Sequence, residues 1–117
     1  MFWKLNDDEK EDLGFQMTMI NVKNIDVNIW VHNNWCLDIP CIHFQNNYEK
    51  KPDEFENLIT LSIDDNKLLL NENEKLNINV NDINKIKHWT KLNKHLLLKL
   101  WNEEIDNVEF LDQMKDI

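Results

Sequence analysis

The stretch NDINKIKHWTKLNKHLLLKLWNEEIDNV, Asn81 to Val108, decides how the rest of the chain must fold. Ile83, Ile86, Trp89 and Thr90 recur at the spacing of one helix face, with Asn84, Lys85, Lys87 and His88 between them. That period gathers the apolar residues on one side of an α-helix, and such a side has to be buried. After Leu92 the pattern restarts as Leu96, Leu97, Leu100, Trp101, Ile105 and Val108, a wider stripe that leaves out Lys94, Lys99, Glu103 and Asp106. Asn81 is the expected N-cap, since its side-chain oxygen can accept from the free N–H groups of the first turn, and Asp82 complements the helix dipole. The phase changes at Asn93, a residue type that tolerates left-handed backbone, so a break or kink is expected there. Trp89 and Trp101 are expected on one buried side of this segment, closed over the alternating residues of the second strand.

Upstream the period falls to two. Phe15, Met17 and Met19 alternate with Gln16 and Thr18, and after a turn near Asn21 to Asn24 the alternation continues as Ile25, Val27, Ile29 and Val31 against Asp26, Asn28, Trp30 and His32. Alternation of this kind marks half-buried strands, and the two runs predict a hairpin. Pro40 to Tyr48 gives a third strand with Ile42 and Phe44 on one side, and Leu58 to Ile63 a fourth. Asp64, Asp65 and Asn66 turn the chain so that Lys67 to Leu70 pairs back, and Leu76, Ile78 and Val80 alternate once more. Strands first and helices last predict an α+β fold, a small antiparallel sheet of four to five strands packed by C-terminal helices. The expected organisation is a single domain: an N-terminal extension over 1–14, strands over 15–80, a helical segment over 81–108 and a tail over 109–117. In the extension Phe2, Trp3 and Leu5 precede the charge run Asp7 to Asp12, and Gly14, the only glycine, punctuates its end.

With 117 residues the chain has room for one core. Hydrophobic content of 42% with five Trp and five Phe argues against disorder. A net charge of -9 together with a mean hydropathy of -0.61 makes the surface strongly polar. That balance disfavours direct binding to phosphate backbones and favours a protein partner with a basic surface, although it also serves simple solubility. Cys36 and Cys41 lie too close together to resemble a secreted disulfide framework, and MFWKLNDDEKEDLGF lacks the basic start and apolar core of a signal peptide. No apolar run approaches the roughly 18 to 20 residues that cross a bilayer. A cytoplasmic location, in a prokaryotic cell or phage-infected host, is expected.

One cluster has ligand-like chemistry. His32, Cys36, Cys41 and His43 could supply two thiolates and two imidazoles to a tetrahedral zinc ion, from a strand end, a loop and the next strand. The spacing is that of no known finger, and the competing reading is ordinary buried structure, since cysteine is among the most buried residue types. Activation of Cys41 by a neighbouring histidine is conceivable, but no oxyanion site or glycine-rich loop accompanies it, so no catalytic residue is assigned. On the polar side of the second strand, Trp30, His32 and Trp35 offer anchors for a partner, and Asp53, Glu54 and Glu56 in the charged loop are candidate acidic contacts, although such loops more often form a solvated face. Cover by the helices or by Phe2 and Trp3 is the alternative there.

Trp89 and Trp101 stand twelve positions apart, with KLNK at Lys91 to Lys94 between them and LLKLW at Leu97 to Trp101 closing the run. In this the chain resembles the short prokaryotic proteins grouped as domain of unknown function 4160, across about residues 24 to 105. The family also carries a histidine- and proline-rich segment. Here IPCIHF, Ile39 to Phe44, keeps Pro40 and His43 but places Cys41 and Leu37 where two further histidines stand. The resemblance implies a setting beside toxin–antitoxin genes and on mobile elements, and no settled activity. The expected function is protein binding in a prokaryotic conflict system: an acidic antitoxin or immunity protein, or a phage-encoded inhibitor that occludes the basic surface of a nuclease or defence protein. The alternative is a metal-dependent (zinc) enzyme of the toxin class using His32, Cys36, Cys41 and His43.

Overall fold

A computed structural model describes residues 17–34, 39–48, 58–70 and 72–117. The expectations for residues 1–14, for Phe15, and for the loop around Pro52 lie outside this set. Five strands, β1 (Thr18–Ile20), β2 (Ile29–Val31), β3 (Cys41–Gln45), β4 (Leu58–Ser62) and β5 (Leu68–Leu69), form one sheet in sequence order. Every neighbouring pair is antiparallel. Three helices follow, α1 (Val80–Leu92), α2 (Lys94–Trp101) and α3 (Asn107–Gln113). The α+β architecture expected from the order of periods is the one observed.

The meander needs tight reversals, and a chain with one glycine makes them with asparagine. Asn24 (φ 70°) turns the chain between β1 and β2, and Asn66 (φ 52°) turns it between β4 and β5. Asparagine reaches this left-handed region at lower cost than other non-glycine residues. Of the long alternation from Ile25 to Val31, only the last three residues are strand. Ile25 and Val27 are buried nonetheless.

Pairing register puts Ile20 beside Ile29, Ile29 beside Phe44, Phe44 beside Ile59, and Ile42 beside Leu61. Since side chains alternate across a strand, these residues share one face of the sheet. Ile83, Ile86 and Trp89 of α1, Leu97 and Leu100 of α2 and Phe110 of α3 join them in a single core. The Trp89 and Phe110 rings meet edge to face at 6.3 Å and 73°. Among the described residues the Trp89 indole N–H finds no acceptor, so this side chain acts through packing.

Helix α1 begins at Val80, and its N-cap is Asn79 rather than Asn81. The Asn79 side chain accepts from the Asp82 N–H at 2.8 Å. Tyr48 secures the same turn, its hydroxyl donating to the Asp82 carboxylate at 2.6 Å and accepting from the Asn79 N–H at 2.8 Å. The alternation at Leu76, Ile78 and Val80 does not make a strand. Asn46 instead engages that segment with its side chain, accepting from Asn77 N–H and donating to Lys75 C=O, both at 2.8 Å.

The expected break at Asn93 is present, but its backbone is not left-handed (φ -102°, ψ 13°). Its role is played by the side chain, which donates to Trp89 C=O at 3.0 Å and Lys115 C=O at 2.9 Å and accepts from Lys115 N–H at 2.7 Å. A single buried amide therefore ends α1 and holds the C-terminal segment. The stretch expected to be a tail over 109–117 contains most of α3, started by a capping box between Asp106 and Glu109 and anchored by fully buried Phe110. Glu103 (φ 60°) reverses the chain before it, and Val108 consequently faces outward at 66% exposure instead of joining the buried stripe.

Candidate functional site

Over β2, β3 and β4 the centre of the opposite face is also buried, and it is largely polar. Trp30 pairs with His43, His43 with Thr60, and Cys41 with Ser62. Residues of this face, Trp30, Cys41, His43, Gln45, Thr60 and Ser62, are all at most 6% exposed. His32 follows β2 directly and is 2% exposed. Of the two readings of Trp30 and His32, exposed anchors or covered residues, the second holds, since both are interior. Trp35, Cys36, Asp53, Glu54 and Glu56 lie outside the described residues.

His32 is positioned by two links between the end of β2 and the end of α2. The Asn34 N–H donates to Trp101 C=O at 3.2 Å, and the Asn33 side chain donates to Glu103 at 3.2 Å. The Trp101 ring then lies 5.5 Å from the His32 ring at 54°. Both tryptophans of the helical segment are buried, but only Trp89 belongs to the apolar core. Trp101 closes the histidine site.

The hydrogen bonds fix the tautomers. His32 Nδ1 lies 2.5 Å from Asn33 C=O, and a carbonyl only accepts, so His32 carries its proton on Nδ1 and Nε2 is an acceptor. His43 Nε2, 3.0 Å from His32 Nε2, must then donate to it. That leaves His43 Nδ1 to accept from the Thr60 hydroxyl at 3.0 Å. Protons thus point one way along a chain from Thr60 through His43 and His32 to Asn33. The two imidazoles are nearly parallel, 12° apart with centroids 5.0 Å apart, and meet edge to edge through the nitrogens.

Cys41, two residues before His43 on β3, completes the cluster. One ligand atom from each of His32, Cys41 and His43 lies within 4.8 Å of the others. Burial lowers the His32 pKa to about 4, against the opposing pull of the Asn33 carbonyl. Burial, and then the neighbouring His32, hold His43 well below its ordinary value. Burial raises the Cys41 thiol to about 12. All three groups are neutral near pH 7, as a low-dielectric site demands when no opposite charge is at hand.

Of the four proposed ligands, three are brought together. Thr60 and Trp101, which shape the site, are not legible as site residues in the sequence. Thr60 becomes visible only through the β3–β4 register that sets it opposite His43, and Trp101 reads simply as core.

A second feature lies at the corner between α2 and α3. An open depression there is lined by Glu103, Glu104, Asp106 and Glu109 around Leu100 and Ile105. Residues 103–117 hold six carboxylates and one lysine, whereas residues 83–102 hold five lysines and no carboxylate. The acidity of the chain is thus unevenly spread over its helices.

No family model, no curated protein and no solved structure matches the chain. Among the described residues, no helix is long and apolar enough to cross a membrane.

Proposed function

We propose that the chain is a small protein-binding module that presents an acidic surface to a basic partner. The observation that carries this reading is the depression at the α2–α3 corner, with four carboxylates set around the apolar side chains of Leu100 and Ile105. Such a site suits a lysine or arginine side chain, whose stem covers apolar surface while its cation meets carboxylates. Three of the four are partly engaged, Glu103 by accepting from the Asn33 side chain. Asp106 and Glu109 cap α3 through one oxygen each, leaving the other oxygens available. Val108 and Leu111, exposed on α3, add apolar surface beside the acidic corner.

The resemblance to domain of unknown function 4160 supplies the context of this proposal, a prokaryotic conflict system. In that setting the chain is an antitoxin, an immunity protein or a phage-encoded inhibitor, and it occludes the basic face of a nuclease or defence protein. Charge complementarity would chiefly speed encounter and set specificity. The enzymatic alternative draws on the His32, Cys41 and His43 cluster, all three buried, and a metal held there by three protein ligands would keep the open coordination position that catalysis requires.

The test is calorimetric titration with any basic protein that a neighbouring gene encodes. Affinity should fall steeply with salt and drop at least about tenfold on joint Glu103→Lys and Glu104→Lys substitution. Binding unchanged by both would contradict the proposal.

A further inference from the structure

The His32–Cys41–His43 cluster has a property that a purely structural hydrogen-bond chain does not require. Each histidine is held from behind by its Nδ1, His32 by Asn33 C=O and His43 by the Thr60 hydroxyl, and the two Nε2 atoms face each other at 3.0 Å. Outer partners on one ring nitrogen, with the other aimed inward, are the arrangement that orients metal-ligating imidazoles. Cys41 Sγ lies beside them on the same buried sheet face.

We propose that His32 Nε2, His43 Nε2 and Cys41 Sγ bind one thiophilic metal ion, zinc(II) or copper(I), in a buried site of three protein ligands distinct from the acidic corner; a tetrahedral zinc would take its fourth ligand from water. The dimensions suit it. Tetrahedral zinc with Zn–N of about 2.0–2.1 Å and Zn–S of about 2.3 Å sets its nitrogens about 3.3 Å apart and nitrogen from sulfur about 3.5 Å. The two Nε2 nitrogens are already 3.0 Å apart, and one nitrogen of each ring lies within 4.8 Å of Cys41 Sγ. Loading therefore takes a small opening of the two rings and about 1 Å of movement by the thiol.

Proton bookkeeping is definite. The proton on His43 Nε2 leaves the space between the rings, and His43 takes the other neutral tautomer, with Nδ1–H donating to Thr60 Oγ1. The Thr60 hydroxyl hydrogen turns away. The Cys41 thiol loses its proton to solvent as the metal–sulfur bond forms, so one proton is released per ion. No electron is transferred. The thiolate leaves a net charge of +1 with zinc(II) and none with copper(I), and both ions prefer this donor set to the oxygen ligands that magnesium or calcium require.

The experiment uses the full chain, reduced and anaerobic, titrated with zinc(II) and separately with copper(I) against chromogenic chelators. Cobalt(II) serves as the optical stand-in for zinc. One equivalent should bind with a dissociation constant of about 1 µM or below for at least one of the two ions. Cobalt should give thiolate charge-transfer absorption that is lost in Cys41→Ser and kept in Cys36→Ser, and His32→Gln should weaken binding at least about tenfold. Should a variant fail to fold, the wild-type imidazole nitrogens decide. Zinc or copper shifting His32 and His43 supports the site, whereas shifts confined to the exposed His88 and His95 overturn it. Absence of stoichiometric binding of both ions, or a charge-transfer band that survives Cys41→Ser, overturns it as well.

Discussion

At the centre of the sheet the two faces are buried to similar depth by opposite chemistry. On one, Ile29, Ile42, Phe44, Ile59 and Leu61 meet the helices with nothing to satisfy except shape. On the other, His43, Gln45, Thr60 and Ser62 are buried polar groups, and each needs a partner because water is excluded. The contrast shows that a strand alternating between apolar and polar residues need not have a wet side. A polar face can be an interior whose order comes from directed hydrogen bonds rather than from packing.

The largest expected effect separates the faces by mechanism. Phe44→Ala removes a fully buried ring from the apolar face and should cost about 3–5 kcal/mol in denaturant unfolding, with no change in pH dependence. Acid should act through the polar face. The folded-state pKa of His32, about 4, lies below its ordinary 6.5, so the unfolded chain takes up protons first. Stability is then full above about pH 6.5 and falls as pH drops towards about 4, by about 3 kcal/mol from His32 alone in metal-free protein. His43, shifted in the same direction, adds to the loss. Urea midpoints at pH 7.5 and pH 4.5 check this.

Smaller changes sharpen the comparison. Thr60→Val removes the hydroxyl that donates to His43 Nδ1 while keeping the shape, and should cost about 1–3 kcal/mol through one buried unsatisfied nitrogen. Val108→Ser, on neither face and 66% exposed, should change stability by less than about 0.5 kcal/mol. Any loss of partner affinity in that variant would then reflect contact rather than unfolding.

The sequence discloses the apolar face well, for a physical reason. Periodicity reports where apolar surface has to be hidden, so Ile83, Ile86 and Trp89, and the alternation through Ile29 and Val31, lead directly to the core. It reports nothing about what else is hidden. Trp30 and His32 look like an exposed edge because their neighbours are polar, although both are interior. Side-chain work by asparagine is equally silent. Asn79 as cap and Asn93 as a bracket to Lys115 depend on contacts that no period encodes. The helix after Glu103 is short, and its capping box, Asp106 with Glu109, was the signal available for it. Three of the four candidate ligands converge because the β2–β3 register sets Trp30 opposite His43 and leaves His32 beyond the end of the strand. Residue spacing alone could not determine that register.

The most direct measurement of the polar interior is a long-range proton–nitrogen correlation spectrum of the histidine rings in metal-free, reduced protein at pH 7. His32 should appear as the Nδ1–H tautomer, titrating near pH 4, and His43 as the Nε2–H tautomer, titrating well below the ordinary imidazole range. Rings that exchange freely between tautomers and titrate near pH 6.5 would contradict the account.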